Sequence, residues 1–389
     1  MTAADAPAGP AGFQVHAGHA GLADDGRDDL TVIMSESPAT SSAVFTRSRF
    51  AGPSVLLSRR SAGGRDARGV VVLARNANVA TGAEGLADAT EVRQRVAGAV
   101  GIPPDQLLIA STGIIGVRYP MPAVRAALDR LKWPFGGADF PAAARAIMTT
   151  DTRPKLVRAR CGAATIVGIA KGVGMIAPDM ATLLAFFCTD AQLPAAELDV
   201  AFRAVVARTL NAVSIDSDTS TSDTAAIFAN GWAGPVDPAE FRDRLFAAAL
   251  DLTRQIARDG EGASKLIEVR VTGARDDAQA RRVARAVVDS PLVKTAVHGG
   301  DPNWGRVAMA VGKCQDDLDL SPDRITIGFG EREVYPRRPD PAALAELAGY
   351  LAGDEVVIRV GLGIGDGAFS AYGCDLTEGY IRINASYST

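Results

Sequence analysis

Short apolar runs separated by Gly- and Arg-rich turns occupy the first part of the chain, and they predict β-strands. The predicted strands lie at 30–34, 43–46, 54–58, 70–74 and 107–111. Apolar residues at helical spacing predict amphipathic helices farther along. These helices are expected at 87–100, 122–131, 140–148, 194–213 and 237–258. Residues 155–172 have the pattern of a β-hairpin with its tip near Cys161 and Gly162.

The last third of the chain alternates between strand and helix patterns. Strands are predicted at 265–273, 324–330, 355–363 and 379–387, and helices at 277–289, 303–313 and 342–351. Because this alternation has no steady βαβ rhythm, it favours an α+β architecture over a doubly wound parallel sheet. Domain boundaries are expected near 181 and near 274–278.

Composition narrows the class of protein. A 389-residue chain with 47% hydrophobic and 22% charged residues is globular and long enough for two or three packed units. Its net charge is −4, and its densest basic cluster, 280–286, has the spacing of a solvated helix face. These features argue against nucleic acid and anionic membranes as partners. The longest apolar run, 180–188, is far shorter than the roughly 20 residues of a membrane span, and the first 25 residues lack a secretory pattern. We expect a soluble, cytoplasmic protein.

Cofactor signals are weak. The four cysteines have no CxxC pairing and are expected to be reduced and mostly buried. Two of the three histidines, His16 and His19, form an HxxH pair without a third ligand, so no metal is expected. The Gly-rich stretch at 361–368 lacks the following helix of a dinucleotide site, and 216–224 lacks the turn glycine and final glutamate of a calcium loop. Acid–base chemistry must therefore proceed largely without histidine or a cofactor.

The stretch "AKGVGMIAPDMATLLAFFCTD", 170–190, places one hydroxyl, Thr182, in an apolar run. One interpretation is a threonine in the first turn of a buried helix, which spacing alone favours. The other is self-cleavage: the Thr182 hydroxyl attacks the Ala181 carbonyl, and hydrolysis of the ester frees an N-terminal threonine. The α-amine of such a residue, with a reference pKa of about 7.7–8.0, can act as base for its own hydroxyl.

The segment "STGIIG", 111–116, follows a predicted strand. Thr112 and Gly113 could offer a hydroxyl and a backbone N–H to the oxyanion of an acyl intermediate. The alternative is an ordinary turn at the end of a strand.

Together these motifs resemble those of the ornithine acetyltransferases, or glutamate N-acetyltransferases. "KGVGMIAPDMATLLAF" resembles the family's cleavage segment and "STGIIG" its oxyanion segment. Further resemblances follow in family order: "FTRSRF", "ARNANVATG", "IMTTDT", "SIDSDTSTSDT", "DGEGASKLIEV", "SPLVKTAVHGGDPNWGRV" and "GCDLTEGYIRINASYST". The resemblance implies an αββα sandwich of the self-cleaving N-terminal-nucleophile type, as in certain aminopeptidases, with a smaller C-terminal α+β domain. It also implies an α fragment, 1–181, and a β fragment, 182–389, the latter divided at about 276/277.

The resemblance assigns roles by position. Thr182 matches the nucleophile, and Thr112 and Gly113 match the oxyanion pair. The matched substrate contacts are Thr149, Lys171, Thr182, Glu261, Asn384 and Thr389. An ammonium at Lys171 can hold a substrate carboxylate, and a carboxylate at Glu261 suits a substrate α-ammonium. Alternatively, Glu261 caps the segment that follows it and Asn384 satisfies an edge strand.

The implied reaction is ping-pong transfer of acetyl from N-acetylornithine to glutamate through acetyl-Thr182, without metal or organic cofactor, in an α2β2 or larger assembly. An amidohydrolase or aminopeptidase of the same processing style and a non-catalytic amino-acid-binding protein are the alternatives. The sequence leaves open whether acetyl-coenzyme A is a second donor.

The chain departs from the usual family pattern at Val173, Asp179, Pro302 and Ser388. Asp179 adds a negative charge three residues before the predicted cut, where it could alter cleavage rate or substrate preference. With "GLADDGRDD" at 21–29, these variants look more like the branch encoded with clavam-type secondary metabolism.

Overall fold

The computed structural model describes residues 9–23, 25–176, 183–337 and 339–386. Its strands are β1 (Phe13–Gly18), β2 (Leu30–Ser35), β3 (Thr40–Phe45), β4 (Gly69–Leu73), β5 (Leu107–Ser111), β6 (Lys155–Cys161), β7 (Ala164–Lys171), β8 (Leu184–Gln192), β9 (Thr224–Pro235), β10 (Leu266–Ala274), β11 (Thr326–Phe329), β12 (Arg332–Tyr335), β13 (Glu355–Gly361) and β14 (Gly367–Cys374). Its α-helices are α1 (Pro53–Ser61), α2 (Gly82–Val100), α3 (Met121–Leu128), α4 (Phe140–Ala146), α5 (Ala195–Arg208), α6 (Pro238–Arg258), α7 (Asp277–Val288), α8 (Pro291–His298), α9 (Trp304–Gly312), α10 (Pro341–Leu351) and α11 (Glu378–Ser386).

Two sheets pack face to face at the centre of the molecule. The first has the order β1-β2-β4-β5 and the second the order β3-β9-β8-β7-β6. Val70 and Val72 of the first sheet share one buried cluster with Phe186 and Phe228 of the second. Because side chains alternate along a strand, the neighbouring residues of these strands face the opposite way.

Helices cover both outer faces. On the first sheet, Val71 packs in a cluster with Val92 and Val96 of α2. On the second, Phe187 meets Phe202 of α5 edge-on, with ring centroids 6.1 Å apart, and α6 adds further cover. Strands buried on both faces read as continuous apolar runs, which is why β4 and β5 are predictable from sequence. The layers run helix–sheet–sheet–helix, so the predicted αββα sandwich is confirmed.

A third sheet, of order β12-β11-β13-β10-β14, forms the C-terminal α+β part with α7 to α10. Within this sheet, β10 pairs in parallel with β13 and antiparallel with β14. The sheet therefore takes strands from both sides of 276/277. One buried cluster runs from Phe202 under the second sheet to Val269 in the third, so the two parts share a core.

Two predicted strands are wrong. Residues 54–58 lie in α1, which begins with Pro53 in its first turn, where proline suits a helix. Residues 379–386 of the segment 379–387 lie in α11, where Ile381 and Ile383 alternate as in a strand but are solvent-exposed. The hydroxyl of Thr377 accepts the Gly379 N–H at 2.9 Å and caps this helix at its start. In both segments the apolar run is too short to separate strand from helix.

Other elements differ less. The remaining predicted segments contain the expected element, but the apolar pattern does not predict β1, β9, β12, β14 or α8. The interpretation of a buried helix after Thr182 is also wrong, because Leu184–Gln192 is a strand. Three cysteines, Cys161, Cys188 and Cys374, are buried free thiols, as predicted. None of the helices in the described ranges is both long and apolar enough to cross a membrane.

Candidate active site

Four neighbouring strands of the second sheet begin or finish at the same end of the sheet. Lys171, the last residue of β7, pairs with Leu184, the first of β8. Leu184 pairs in parallel with Thr224, the first residue of β9, and Thr224 pairs with Phe45, the last of β3. Loops that enter or leave these strands therefore converge at the same place.

A polar cavity of about 90 Å³ lies at this convergence. Six residues predicted from the sequence line it, namely Thr112, Gly113, Thr149, Lys171, Glu261 and Asn384. Leu183, which follows Thr182 directly in the chain, lines it too. Thr182 and Thr389, the other predicted contacts, lie outside the described residues.

Thr112 and Gly113 sit where β5 ends. The Thr112 N–H donates to the Leu73 carbonyl, so its backbone is fixed while its side chain reaches the cavity. Gly113 has φ +129°, and a Cβ there would stand 2.0 Å from the Arg75 carbonyl carbon. Only glycine fits this position. The segment is thus a turn, as the plainer interpretation says, but a rigid one with a hydroxyl and a peptide unit at the cavity.

Lys171 lies 3.4 Å from the Thr112 hydroxyl, measured from Nζ to Oγ1. Burial lowers the pKa of its ammonium, and the nearby Asp151 carboxylate opposes this shift. Lys171 is thus a buried amine whose positive charge Asp151 supports, and it lines the cavity where an anionic group could enter.

Asp151, within the motif "TTDT", is a residue that the sequence interpretation misses. Its Oδ1 accepts hydrogen bonds from Lys155 Nζ at 2.7 Å and the Gly172 N–H at 2.8 Å. Its Oδ2 accepts the Thr149 N–H at 3.0 Å. Burial raises the pKa of Asp151, but the charges of Lys171 and Lys155 outweigh burial and lower it to about 2. This carboxylate therefore positions the two predicted contacts Thr149 and Lys171.

Glu261 is held from three sides. Its Oε1 accepts from the Thr150 hydroxyl at 2.8 Å, and its Oε2 accepts from Asn384 Nδ2 at 2.9 Å. Its N–H donates to the Val173 carbonyl at 2.8 Å, and a Cβ on Gly174 would lie only 2.4 Å from Oε2. The side chain thus lies over the Lys-Gly-Val-Gly loop at the cavity. Its contacts do not support the alternative that it caps the segment after it, and Asn384 belongs to α11 rather than an edge strand.

The run 216–224 also serves the site. Asp216 accepts the N–H groups of Met175 and Ile176 at 2.6 and 2.8 Å, so it anchors the predicted cleavage segment on the N-terminal side of Thr182. Asp223, at the other end of the run, lines the cavity and is 2% exposed. Burial raises the pKa of Asp223 well above its ordinary value. The calcium-loop appearance of this run thus has another cause, and the described residues contain no metal-binding cluster of three or more His, Cys, Asp or Glu.

The arrangement suits a small molecule that carries both a carboxylate and an ammonium group. Lys171 offers a cation and Glu261 an anion, while Thr112 and Gly113 offer neutral polar groups beside them. A four-layer αββα sandwich with such a cavity at its strand ends has the architecture of the self-cleaving N-terminal-nucleophile class.

Within that class, the chain belongs to the ArgJ family, whose model matches residues 14–389. It is 65% identical over 388 residues to the glutamate N-acetyltransferase Oat2 of Streptomyces clavuligerus, covering 98% of this chain and 99% of that protein. It is 56% identical to the arginine biosynthesis bifunctional protein ArgJ of Rhodococcoides fascians, covering 98% and 95%. The crystal structure of ArgJ from Bacillus halodurans is 42% identical, with a TM-score of 0.48, and covers 51% of this chain and 96% of its own. The predicted resemblance to the ornithine acetyltransferases is confirmed.

Proposed function

We propose that this chain is a glutamate N-acetyltransferase that cuts itself between Ala181 and Thr182. Thr182 then takes an acetyl group from N-acetylornithine, releases ornithine, and gives the acetyl group to glutamate. The observation that carries this proposal is the cavity beside Leu183, because it gathers six predicted residues from five separate parts of the chain. The family membership and the 65% identity to Oat2 support the same reaction.

Each half-reaction needs a nucleophile, a base and an oxyanion site. The Thr182 α-amine accepts the proton of its own hydroxyl as the oxygen attacks the acetyl carbonyl. The Thr112 hydroxyl and the Gly113 N–H stabilise the negative oxygen of the tetrahedral intermediate. Each donor of this kind typically contributes about 2.7–4 kcal/mol. Thr112 is well suited to this role because the Lys171 ammonium lies beside its hydroxyl.

One cavity serves donor and acceptor because both are amino acids with a carboxylate. Lys171 holds a substrate carboxylate, while Glu261 holds an ammonium group and is itself fixed by Thr150 and Asn384. Since ornithine leaves before glutamate binds, the kinetics are ping-pong. The reaction belongs to arginine-type amino-acid biosynthesis, and assignment to a clavam-related branch is part of this proposal.

The two fragments stay associated after cleavage. The second sheet contains strands from both sides of the cut, because β8 and β9 of the later fragment lie between β3 and β7 of the earlier one. Separating them would expose Val167 and Phe186 from a shared core. We further propose an α2β2 or larger assembly in the cytoplasm, without nucleic-acid or membrane partners, in keeping with the net charge of −4. Sedimentation equilibrium tests the assembly.

The reaction is tested by incubating purified protein with N-acetylornithine, with and without glutamate. We expect ornithine release to continue only when glutamate is present, with N-acetylglutamate as the second product. Acetate release that does not depend on glutamate would identify a hydrolase instead. Thr182→Ala should abolish both cleavage and turnover, whereas Thr326→Ala, at an exposed position in the third sheet, is a matched control that should change neither.

A further inference from the structure

Asp223 is a buried carboxyl group for which the reaction above has no use. It lines the cavity, is 2% exposed, and its Oδ2 is buried without a hydrogen-bond partner among the described residues. It directly precedes β9, while Leu183 directly precedes β8, and these two strands run parallel from Leu184 and Thr224 onward. The Leu183 backbone hydrogen-bonds to Asp223, and the Thr224 N–H donates to the Leu183 carbonyl at 3.1 Å. Asp223 is therefore hydrogen-bonded to Leu183, the residue that follows Thr182 in the chain.

The surroundings favour the protonated form of this carboxyl group. Burial raises the pKa of Asp223 well above its ordinary value, and hydrogen bonding by Leu183, Ser220 and Thr46, with the charge of Lys171, offsets burial only in part. A carboxylic acid that is neutral near pH 7 can donate a proton, and its second oxygen can accept one. A buried polar atom without a partner is costly, so the Oδ2 atom of Asp223 calls for an explanation, and a catalytic role supplies one.

Glu261 and Lys171, which also line the described cavity, already interact with other side chains. Both oxygens of Glu261 accept hydrogen bonds, from Thr150 and Asn384. Lys171 interacts with the Asp151 carboxylate. No histidine belongs to the described lining. Self-cleavage nevertheless requires a proton for the nitrogen that leaves the broken amide.

Resting on the proposed cleavage before Thr182, we propose that Asp223 is the general acid of that cleavage, and that its unpartnered oxygen carries the proton delivered to the Thr182 nitrogen. As the Thr182 oxygen adds to the Ala181 carbonyl carbon, the acid proton of Asp223 moves to the Thr182 nitrogen and the hydroxyl proton of Thr182 moves to the Asp223 carboxyl group, which therefore holds one proton throughout. The bond between the Ala181 carbonyl carbon and the protonated Thr182 nitrogen then breaks, and the nitrogen leaves as a neutral amine. An ester and a free amine result. Water hydrolyses the ester, which leaves the Ala181 carboxylate and the free Thr182 hydroxyl.

The test follows cleavage of freshly synthesised chains in cell-free translation, by denaturing gel and intact mass. Asp223→Asn keeps the shape and neutrality of the side chain but removes its transferable proton. We expect it to slow cleavage by about 100-fold or more, because general acid–base catalysis typically contributes about 10²–10⁴-fold. Asp223→Glu restores an acid and should cleave faster than Asp223→Asn. The matched control Asp251→Asn, at an exposed position on α6, should cleave like the wild type.

A second measurement separates catalysis from structure. Asp223→Ala leaves space for a small acid, so added formate should accelerate its cleavage, whereas chloride should not. The assignment of Asp223 is overturned if the Asp223→Asn chain is cleaved within a few-fold of the wild-type rate. It is also overturned if formate does not accelerate cleavage of the Asp223→Ala chain. A wild-type chain that is not cut before Thr182 overturns the proposed function itself, so the two failures are distinguishable.

Discussion

Replacing Asp151 by asparagine tests whether the buried charges position the candidate active site. The carboxylate joins Lys155, the Gly172 N–H and the Thr149 N–H within 2.7–3.0 Å. Asparagine preserves the shape, but it removes the negative charge beside two buried lysines. Breaking one partner of a buried ion pair typically costs about 3–5 kcal/mol. Because Lys155 keeps a second partner, Asp259, at 2.6 Å, we expect the lower part of that range, about 3 kcal/mol.

The same change should weaken substrate binding. Without Asp151, the pKa of Lys171 falls further, because the charge that opposes burial is gone. Loss of a charged hydrogen bond to a substrate carboxylate is worth about 1.5–3 kcal/mol, so we expect KM to rise by about tenfold or more. Urea unfolding and steady-state kinetics measure the two effects. Asp251→Asn, an exposed position on α6, is the matched control.

The pH dependence of stability gives an independent check on Asp151. Its pKa, about 2 when folded, lies below the ordinary value of 3.8 for an aspartate. The stabilisation is therefore fully present above pH 4 and is lost as the pH falls from about 4 to about 2, a contribution of about 2 kcal/mol. The stability gap between wild type and Asp151→Asn should narrow over this window. An Asp151→Asn protein with wild-type unfolding free energy and KM would show that Asp151 neither stabilises the fold nor positions Lys171.

Three further results are expected from the candidate site. Gly113→Ala should reduce kcat by about 10²–10³-fold, because the added Cβ collides with the Arg75 backbone and moves an oxyanion donor. Gly98→Ala is the kinetic control, because no atom lies within 4 Å of its added Cβ. Asn384→Asp should raise KM, because a second carboxylate would face Glu261 at the position of a 2.9 Å hydrogen bond, and an unchanged KM would count against Glu261 as a substrate contact. Thr182→Ala should migrate on a denaturing gel as one 40.3 kDa band, and two bands would exclude Thr182 as the agent of cleavage.

Much of the sandwich could be predicted because its central strands are buried on both faces. The runs at β2, β4 and β5 are apolar and bounded by turns, so burial and sequence pattern agree. Prediction failed at α1 and α11, because their few apolar residues fit both the strand and the helix period. The residues at the start of each helix, Pro53 and Thr377, favour the helix. It also missed β9, because its alanine-rich beginning carries no strand preference.

Some residues of the candidate site could be predicted from the sequence and others could not. Thr112, Gly113 and Lys171 could be found because their chemistry follows recognisable motifs, and the structure brings them to one cavity. Asp151 and Asp223 could not, because acidic residues in polar loops are usually solvated. Their importance comes from burial beside lysines, which depends on long-range packing rather than on neighbouring residues.

Intact-mass analysis of the purified protein, before and after N-acetylornithine is added, shows whether Thr182 is freed by cleavage and carries the acetyl group. We expect two polypeptides, 1–181 and 182–389, the second of which begins with Thr182 and gains the mass of one acetyl group with the donor. Glutamate should then remove that added mass. A single 40.3 kDa chain, a break at another bond, or an acetyl group carried anywhere but Thr182 would contradict the account.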